Sequence, residues 1–156
     1  MNRRVVVLQG VSGSGKTTYG RRLAEEARES GFASRIVSAD SYFEKLGGGT
    51  YKFDFTKLGE AHGECFRAFL DAVGIGIEFV IVDNTCTRVI EIAPYMLAAQ
   101  AFGYEAEVHR VVCDPKVASA RNLHDVPLGS VIAMDARIAS EKLPPWWKLT
   151  EVQTAA

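Results

Sequence analysis

The residues best suited to chemistry lie close to the start of the chain, at Gly10-Val11-Ser12-Gly13-Ser14-Gly15-Lys16-Thr17. Their spacing is G-x-x-x-x-G-K-[ST], the phosphate-binding loop. An apolar run, Val5-Val6-Val7-Leu8, precedes it and an amphipathic run follows, which is the strand–loop–helix setting the motif requires. Glycines let the loop curl its backbone N–H groups around phosphate oxygens, because they tolerate positive φ and close approach. The free N–H groups and positive dipole end of the following helix point at the same anion. Ser12, Gly13, Ser14, Gly15, Lys16, Thr17 and Thr18 are therefore the expected nucleotide-binding residues. Lys16 can reach the β- and γ-phosphates, and the Thr17 hydroxyl can ligate Mg²⁺.

Two aspartates could complete such a site. Asp83 ends the apolar run Phe79-Val80-Ile81-Val82, where an acid commonly stands beside Mg²⁺. Asp40 follows Ala33 to Ser38, a second strand-like run, and could accept the proton of an acceptor hydroxyl during phosphoryl transfer. The alternatives are a turn or capping aspartate at 83 and an N-cap at 40.

The elements that must position these groups follow from hydrophobic spacing. Arg4 to Gln9 reads as a buried parallel strand and Lys16 to Ser30 as an amphipathic helix closed by Gly31. A loop with Gly47-Gly48-Gly49 follows Asp40. Leu58 to Val73 reads as a helix and Phe79 to Val82 as a strand. A helix from about Glu91 or Pro94 to Phe102 comes next, with Pro94 placed in its first turn. Ala106 to Cys113 reads as a strand. Asp114-Pro115 opens a helix to about Leu123, and Leu128 to Ser140 forms the last helix. The tail from 144 to 156 reads as irregular. The order βαβαβαβαα implies an α/β fold, a parallel sheet flanked by helices, in one domain spanning 1–156. Ligands in such sheets bind beyond the carboxyl ends of strands, which selects the loop at 10–17, Asp40 and Asp83.

Composition narrows the rest. With a net charge of −1, broad electrostatic attraction to nucleic acid or an anionic membrane is not indicated, although a local basic groove is compatible with it. Cys65, Cys86 and Cys113 are odd in number and widely spaced, so reduced thiols are expected and a zinc site is poorly supported. No apolar run reaches membrane-spanning length, and the first strand begins too early to leave room for a signal peptide. The expectation is a cytoplasmic protein with no membrane partner; nothing in the sequence bears on oligomeric state.

Further motifs occur in a characteristic order: Ser38-Ala39-Asp40-Ser41-Tyr42-Phe43, Ala61-His62-x2-Cys65, Val82-Asp83-Asn84-Thr85-x-Thr87, and Arg121-Asn122-x-His124-x-Val126-Pro127, with Met134 in the final helix. Together with the phosphate loop, this pattern resembles the P-loop polynucleotide 5′-hydroxyl kinase group over about Val5 to Ser140. That group includes the kinase domain of phage end-healing enzymes and a vertebrate ubiquitin-ligase-binding protein. The resemblance implies ATP-dependent transfer of the γ-phosphate to a hydroxyl of DNA or RNA. It implies Asp40 as general base, Asp83 near the acceptor, and Arg121 in a lid, about 121–130, closing on the nucleotide phosphates. Phe43 stands where the phage enzyme has an acceptor-binding Arg, and the lid lacks that enzyme's second Arg. A related group of phage kinases, which phosphorylate 5-hydroxymethyluracil in DNA, is an alternative.

Around this frame, Asp83, Asn84, Arg88 and Tyr42 are candidate acceptor contacts, with Tyr42, Phe43, Tyr51, Phe53 and Phe55 as either a stacking platform or an apolar cluster. His62 is either a packing histidine or an acceptor contact, His124 either orders the lid or is simply exposed, and His109 is expected to be structural. Trp146 and Trp147 would dock the tail. A small-molecule kinase and a nucleotide-dependent switch without an acceptor remain competing functions. The missing guanine-reading N-K-x-D pattern favours ATP, with Mg²⁺, as the nucleotide.

Overall fold

The computed structural model describes residues 2–154. In chain order the elements are β1 (Arg4–Gln9), α1 (Lys16–Glu29), β2 (Ser34–Val37), α2 (Asp40–Leu46), α3 (Leu58–Gly74), β3 (Phe79–Asp83), α4 (Val89–Ala101), β4 (Glu105–Val112), α5 (Pro115–Arg121), α6 (Leu128–Ser140) and β5 (Lys148–Gln153). The strands form one parallel sheet in the order β2-β3-β1-β4-β5.

β1 is central, and its unbroken apolar run serves both faces of the sheet. Side chains alternate along a strand. Val5 and Val7 pack with Phe69 of α3 and with Ile92 and Met96 of α4, while Val6 and Leu8 pack with Ala24 and Ala27 of α1. Truncating Leu8 or Phe69 to alanine should cost about 2–5 kcal/mol, because both are fully buried. This packing holds the carboxyl ends of β1 and β3 side by side, with Leu8 in register with Asp83.

Several expectations need correction. The segment after Asp40 is a short helix, α2, rather than a loop. Asp40 is its first residue and is not the cap; the Ser38 hydroxyl accepts the Asp40 N–H at 3.1 Å. The carboxylate is thus not spent on capping. α4 starts at Val89, ahead of the expected boundary, so Pro94 lies inside it. The Val89 N–H donates to the Glu141 carboxylate at 2.5 Å, a cap supplied from far along the chain that no local pattern reveals. Pro94 removes the donor that would reach the Ile90 carbonyl.

The tail is not irregular throughout, since 148–153 form β5 beside β4. This edge strand is mostly polar. Backbone pairing holds it, with Lys148–Glu107 at 3.1 Å and Arg110–Glu151 at 3.6 Å across the strands. Trp147 packs against the core, whereas Trp146 is exposed. His109 is structural as expected: it is buried on β4 between Tyr19 and Glu107.

Candidate functional site

A cleft of about 1120 Å³ opens at the carboxyl ends of the strands. Its floor is the loop between β1 and α1. Gly13 and Gly15 have φ of 80° and 97°, as the curled loop requires. A Cβ on Gly13 would lie 2.1 Å from the Ala118 carbonyl oxygen, so α5 packs directly on the loop there. The amides of Gly15, Lys16, Thr17 and Thr18 make no backbone hydrogen bond among the described residues, as expected of the first turn of a helix. They are donors available to an anion.

Lys16 is buried and donates to the Val11 carbonyl at 3.3 Å. Burial holds its ammonium below the usual lysine range, against the opposing pull of Asp83, Cys86 and Asp40. A bound polyphosphate would restore that charge. The buried Ser14 hydroxyl has no partner and sits against Gly10 rather than lining the cleft. Ser12, Gly13, Gly15, Thr17 and Thr18 do line it.

Asp83 is almost fully buried, and its Oδ2 accepts from the Thr17 hydroxyl at 2.7 Å. Two hard oxygen donors thus meet beside the loop. Among the described residues no group of three or more His, Cys, Asp or Glu forms a metal site. The pair instead fits Mg²⁺, which takes one or two protein oxygens and completes its octahedron with phosphates and water.

Asp40 faces the same cleft from the start of α2. Burial pushes its carboxyl up, and the negative Asp83 and Glu44 reinforce the shift; His124 and Lys16 oppose it. Asn84 sets its position. The Asn84 Oδ1 accepts the Ala39 N–H at 2.9 Å, and its amide donates to Cys65 Sγ at 3.5 Å. Both ends of this buried side chain are engaged within the protein, so Asn84 braces the start of α2 while also lining the cleft. The loop after β3 is fixed in turn by Gln9, which donates to the Cys86 carbonyl at 2.9 Å.

The end of α5 and the turn after it, where a lid was expected, close one side of the cleft. Arg121 donates from Nε to the Gly13 carbonyl at 2.8 Å and from its terminal nitrogen to the Ser14 carbonyl at 3.0 Å and Thr154 Oγ1 at 3.1 Å. It grips the phosphate loop itself. Asn122 ties the turn together, accepting the Val126 N–H at 2.9 Å and donating to the Ser119 and Val126 carbonyls.

Tyr42 is not brought into the cleft. Its hydroxyl donates to Glu60 on α3 at 2.6 Å. The aromatic segment serves both expected roles. Phe43 is buried beneath Tyr42 and Tyr51, while Tyr51 and the half-exposed Phe53 line the cleft. His62 and Arg88 reach it as well. The cleft also contains residues that sequence reasoning missed. Arg137 of α6 donates to the Thr87 hydroxyl at 3.4 Å, beside Arg88. Gln153 and Thr154 arrive at the end of β5. Arg137 could have been found from its spacing with Ser130 and Met134, which share one face of α6; nothing local pointed to the tail.

Comparison with known proteins gives the family and the fold. The AAA domain family (AAA_33) matches residues 5–124. The chain belongs to this family. The AAA-domain core contains the loop, both aspartates and Arg121, while Arg137 and β5 lie beyond the matched residues. NEDD4-binding protein 2 of Homo sapiens is 33% identical over 134 residues, 83% of this chain; the chain spans only 7% of that protein's length. A chain in the Pnkp1/Rnl/Hen1 RNA repair complex shares the fold, with a TM-score of 0.71 and 12% identity over 88% of this chain and 44% of that one. So does the Mycobacterium tuberculosis APS kinase CysC, solved with AMPPNP and APS, with a TM-score of 0.65 and 13% identity over 97% and 88%. The protein therefore has a P-loop kinase fold. Among the described residues no helix is long and apolar enough to cross a membrane.

Proposed function

We propose that this protein transfers the γ-phosphate of ATP to a hydroxyl of a nucleic acid, with a polynucleotide 5′-hydroxyl as the acceptor. The observation that carries the proposal is the Asp40 carboxylate, free of capping bonds, in the same cleft as the phosphate loop and the Thr17–Asp83 pair.

The chemistry follows from the residues. The loop amides and Lys16 bind and orient the polyphosphate. Thr17 and Asp83 would hold Mg²⁺, which when bound neutralises charge on the β- and γ-oxygens. Asp40 accepts the proton of the acceptor hydroxyl as its oxygen bonds to the γ-phosphorus and the bond to ADP breaks. A carboxyl raised by burial is a stronger base than an exposed one, which suits that role. Arg121, across the loop, stabilises charge on the transferring group.

An acceptor of nucleic-acid type is supported by the size and lining of the cleft. Its volume of about 1120 Å³ leaves room for an acceptor beside a nucleotide. Arg88 and Arg137, close together through Thr87, and Tyr51 and Phe53, grouped around Phe43, line the cleft and offer partners for a backbone phosphate and a base. The resemblance to polynucleotide kinases and the fold shared with the RNA-repair chain point the same way.

The test is a panel with labelled ATP: 5′-hydroxyl DNA and RNA oligonucleotides, DNA containing 5-hydroxymethyluracil with blocked ends, free nucleosides, and small alcohols. The proposal expects 5′-hydroxyl oligonucleotides to have the highest kcat/KM. Label in the modified base alone would reassign the enzyme to base phosphorylation. Equal or better use of nucleosides or small alcohols would replace it with a small-molecule kinase, and no acceptor in any class would leave a nucleotide-dependent switch.

A further inference from the structure

His124, expected either to order the lid or to be exposed, reaches the carboxylate of Asp40. Its Nε2 lies 3.7 Å from Asp40 Oδ2. Its ring stacks on Tyr51, with centroids 3.7 Å apart and planes inclined by 27°. The backbone around it is shaped for this reach. Asn122 closes the turn over Val126, and Asp125 adopts a left-handed φ of 54°, uncommon outside glycine. His124 is at the apex of that turn. Three residues earlier, Arg121 is bonded to the carbonyls of Gly13 and Ser14. One short segment therefore touches the phosphate loop at one end and Asp40 at the other.

We propose that His124 is a positioning residue for Asp40, latching the lid and orienting the carboxylate when the lid closes over a nucleotide. The inference rests on the general-base role of Asp40 given above. The separation of 3.7 Å is too long for a hydrogen bond, so the contact is electrostatic and short enough to tighten as the cleft fills. Charges around Asp40 make such a partner useful. Asp83 and Glu44 repel its anion, while His124 and Lys16 attract it and the Tyr51 hydroxyl bonds to it. Tyr51 completes the arrangement. Burial and then the Asp40 carboxylate push its phenol up to about 12, so it remains a neutral platform for the imidazole. Nucleotide engagement at Arg121 is thereby coupled to preparation of the base, and the acceptor is met by a competent carboxylate only under a closed lid.

The test is a double-mutant cycle with ATP and a 5′-hydroxyl oligonucleotide as probes. Asp40→Asn alone should lower kcat by about 10²–10⁴-fold. His124→Ala alone should lower kcat by about tenfold and leave the KM for ATP nearly unchanged, and His124→Gln, whose amide can still donate, should recover part of the loss. The combined variant should be no slower than Asp40→Asn, because a residue that acts through another cannot add to its loss. Full additivity, or unchanged kcat in His124→Ala, overturns the inference. If Asp40→Asn itself leaves transfer intact, the general-base role falls instead. If the oligonucleotide is inert, amide exchange of residues 121–127 with AMPPNP decides: equal, non-additive deprotection in both variants supports the latch, and unchanged protection overturns it.

Discussion

Asp40 is held in a place that favours its protonated form, and that has a consequence for stability. Its folded-state carboxyl lies above the unfolded value, so its contribution is fully present below the unfolded value and is lost as pH rises through the folded one. Ionised Asp40 is therefore a stability cost carried for function. Asp40→Asn should be more stable than the parent at about pH 8, by no more than about 1 kcal/mol because the side chain is half-exposed, and the gap should close towards about pH 3. Urea unfolding at several pH values checks this; a destabilised variant at pH 8 would contradict it. Arg121→Ala should behave differently from a variant that loses only transition-state charge. The guanidinium also bonds the loop carbonyls, so both kcat and the KM for ATP should worsen. An effect confined to the acceptor KM would move Arg121 to the acceptor groove. At this scale the sequence was readable wherever a motif has a local cause, as with Gly13, Lys16, Thr17 and the two aspartates. It carried no trace of side chains that turn to distant partners: Asn84 to Ala39 and Cys65, and Tyr42 to Glu60, outside the cleft.

Elements were recovered where one buried face repeats in the sequence. α1 and α3 have such faces, β1 and β3 are apolar without a break because both faces of the sheet are covered, and Asp114 caps α5 through the Lys116 N–H at 2.8 Å as the Asp-Pro pair predicts. α2, the true start of α4, and β5 depend on contacts remote in sequence, so hydrophobic period carries little trace of them. β5 is the plainest example, a polar strand whose pairing comes entirely from the edge of β4. Close packing of elements gives a separate prediction. Gly13→Ala drives a methyl into the Ala118 carbonyl at a residue with φ of 80°, whereas Gly31→Ala, with φ of 86°, meets nothing within 4 Å. Gly31→Ala should cost only the backbone term, about 1–2 kcal/mol. Gly13→Ala should lower the urea midpoint further and abolish nucleotide binding, because α5 and the loop cannot both keep their places. Equal midpoints for the two variants would refute the close-approach explanation.

The whole molecule brings the phosphate loop, the two acids, the turn after α5 and the end of β5 to one side of a parallel sheet, where strand ends leave room for a ligand. Its net charge of −1 limits how many phosphates it engages. If two are contacted on a single-stranded acceptor, log affinity should fall with log salt at a slope of about −1.4. The central claim is phosphoryl transfer to a nucleic-acid hydroxyl, and one measurement addresses it most directly. Labelled γ-phosphate ATP is supplied with matched oligonucleotides that differ only in carrying a 5′-hydroxyl or a 5′-phosphate, using the parent protein and Lys16→Ala. The account predicts label on the 5′-hydroxyl strand alone, released by phosphatase as a terminal phosphate, and a loss of about 10²–10³-fold in Lys16→Ala. Equal labelling of both strands, or labelling undiminished in Lys16→Ala, would contradict it.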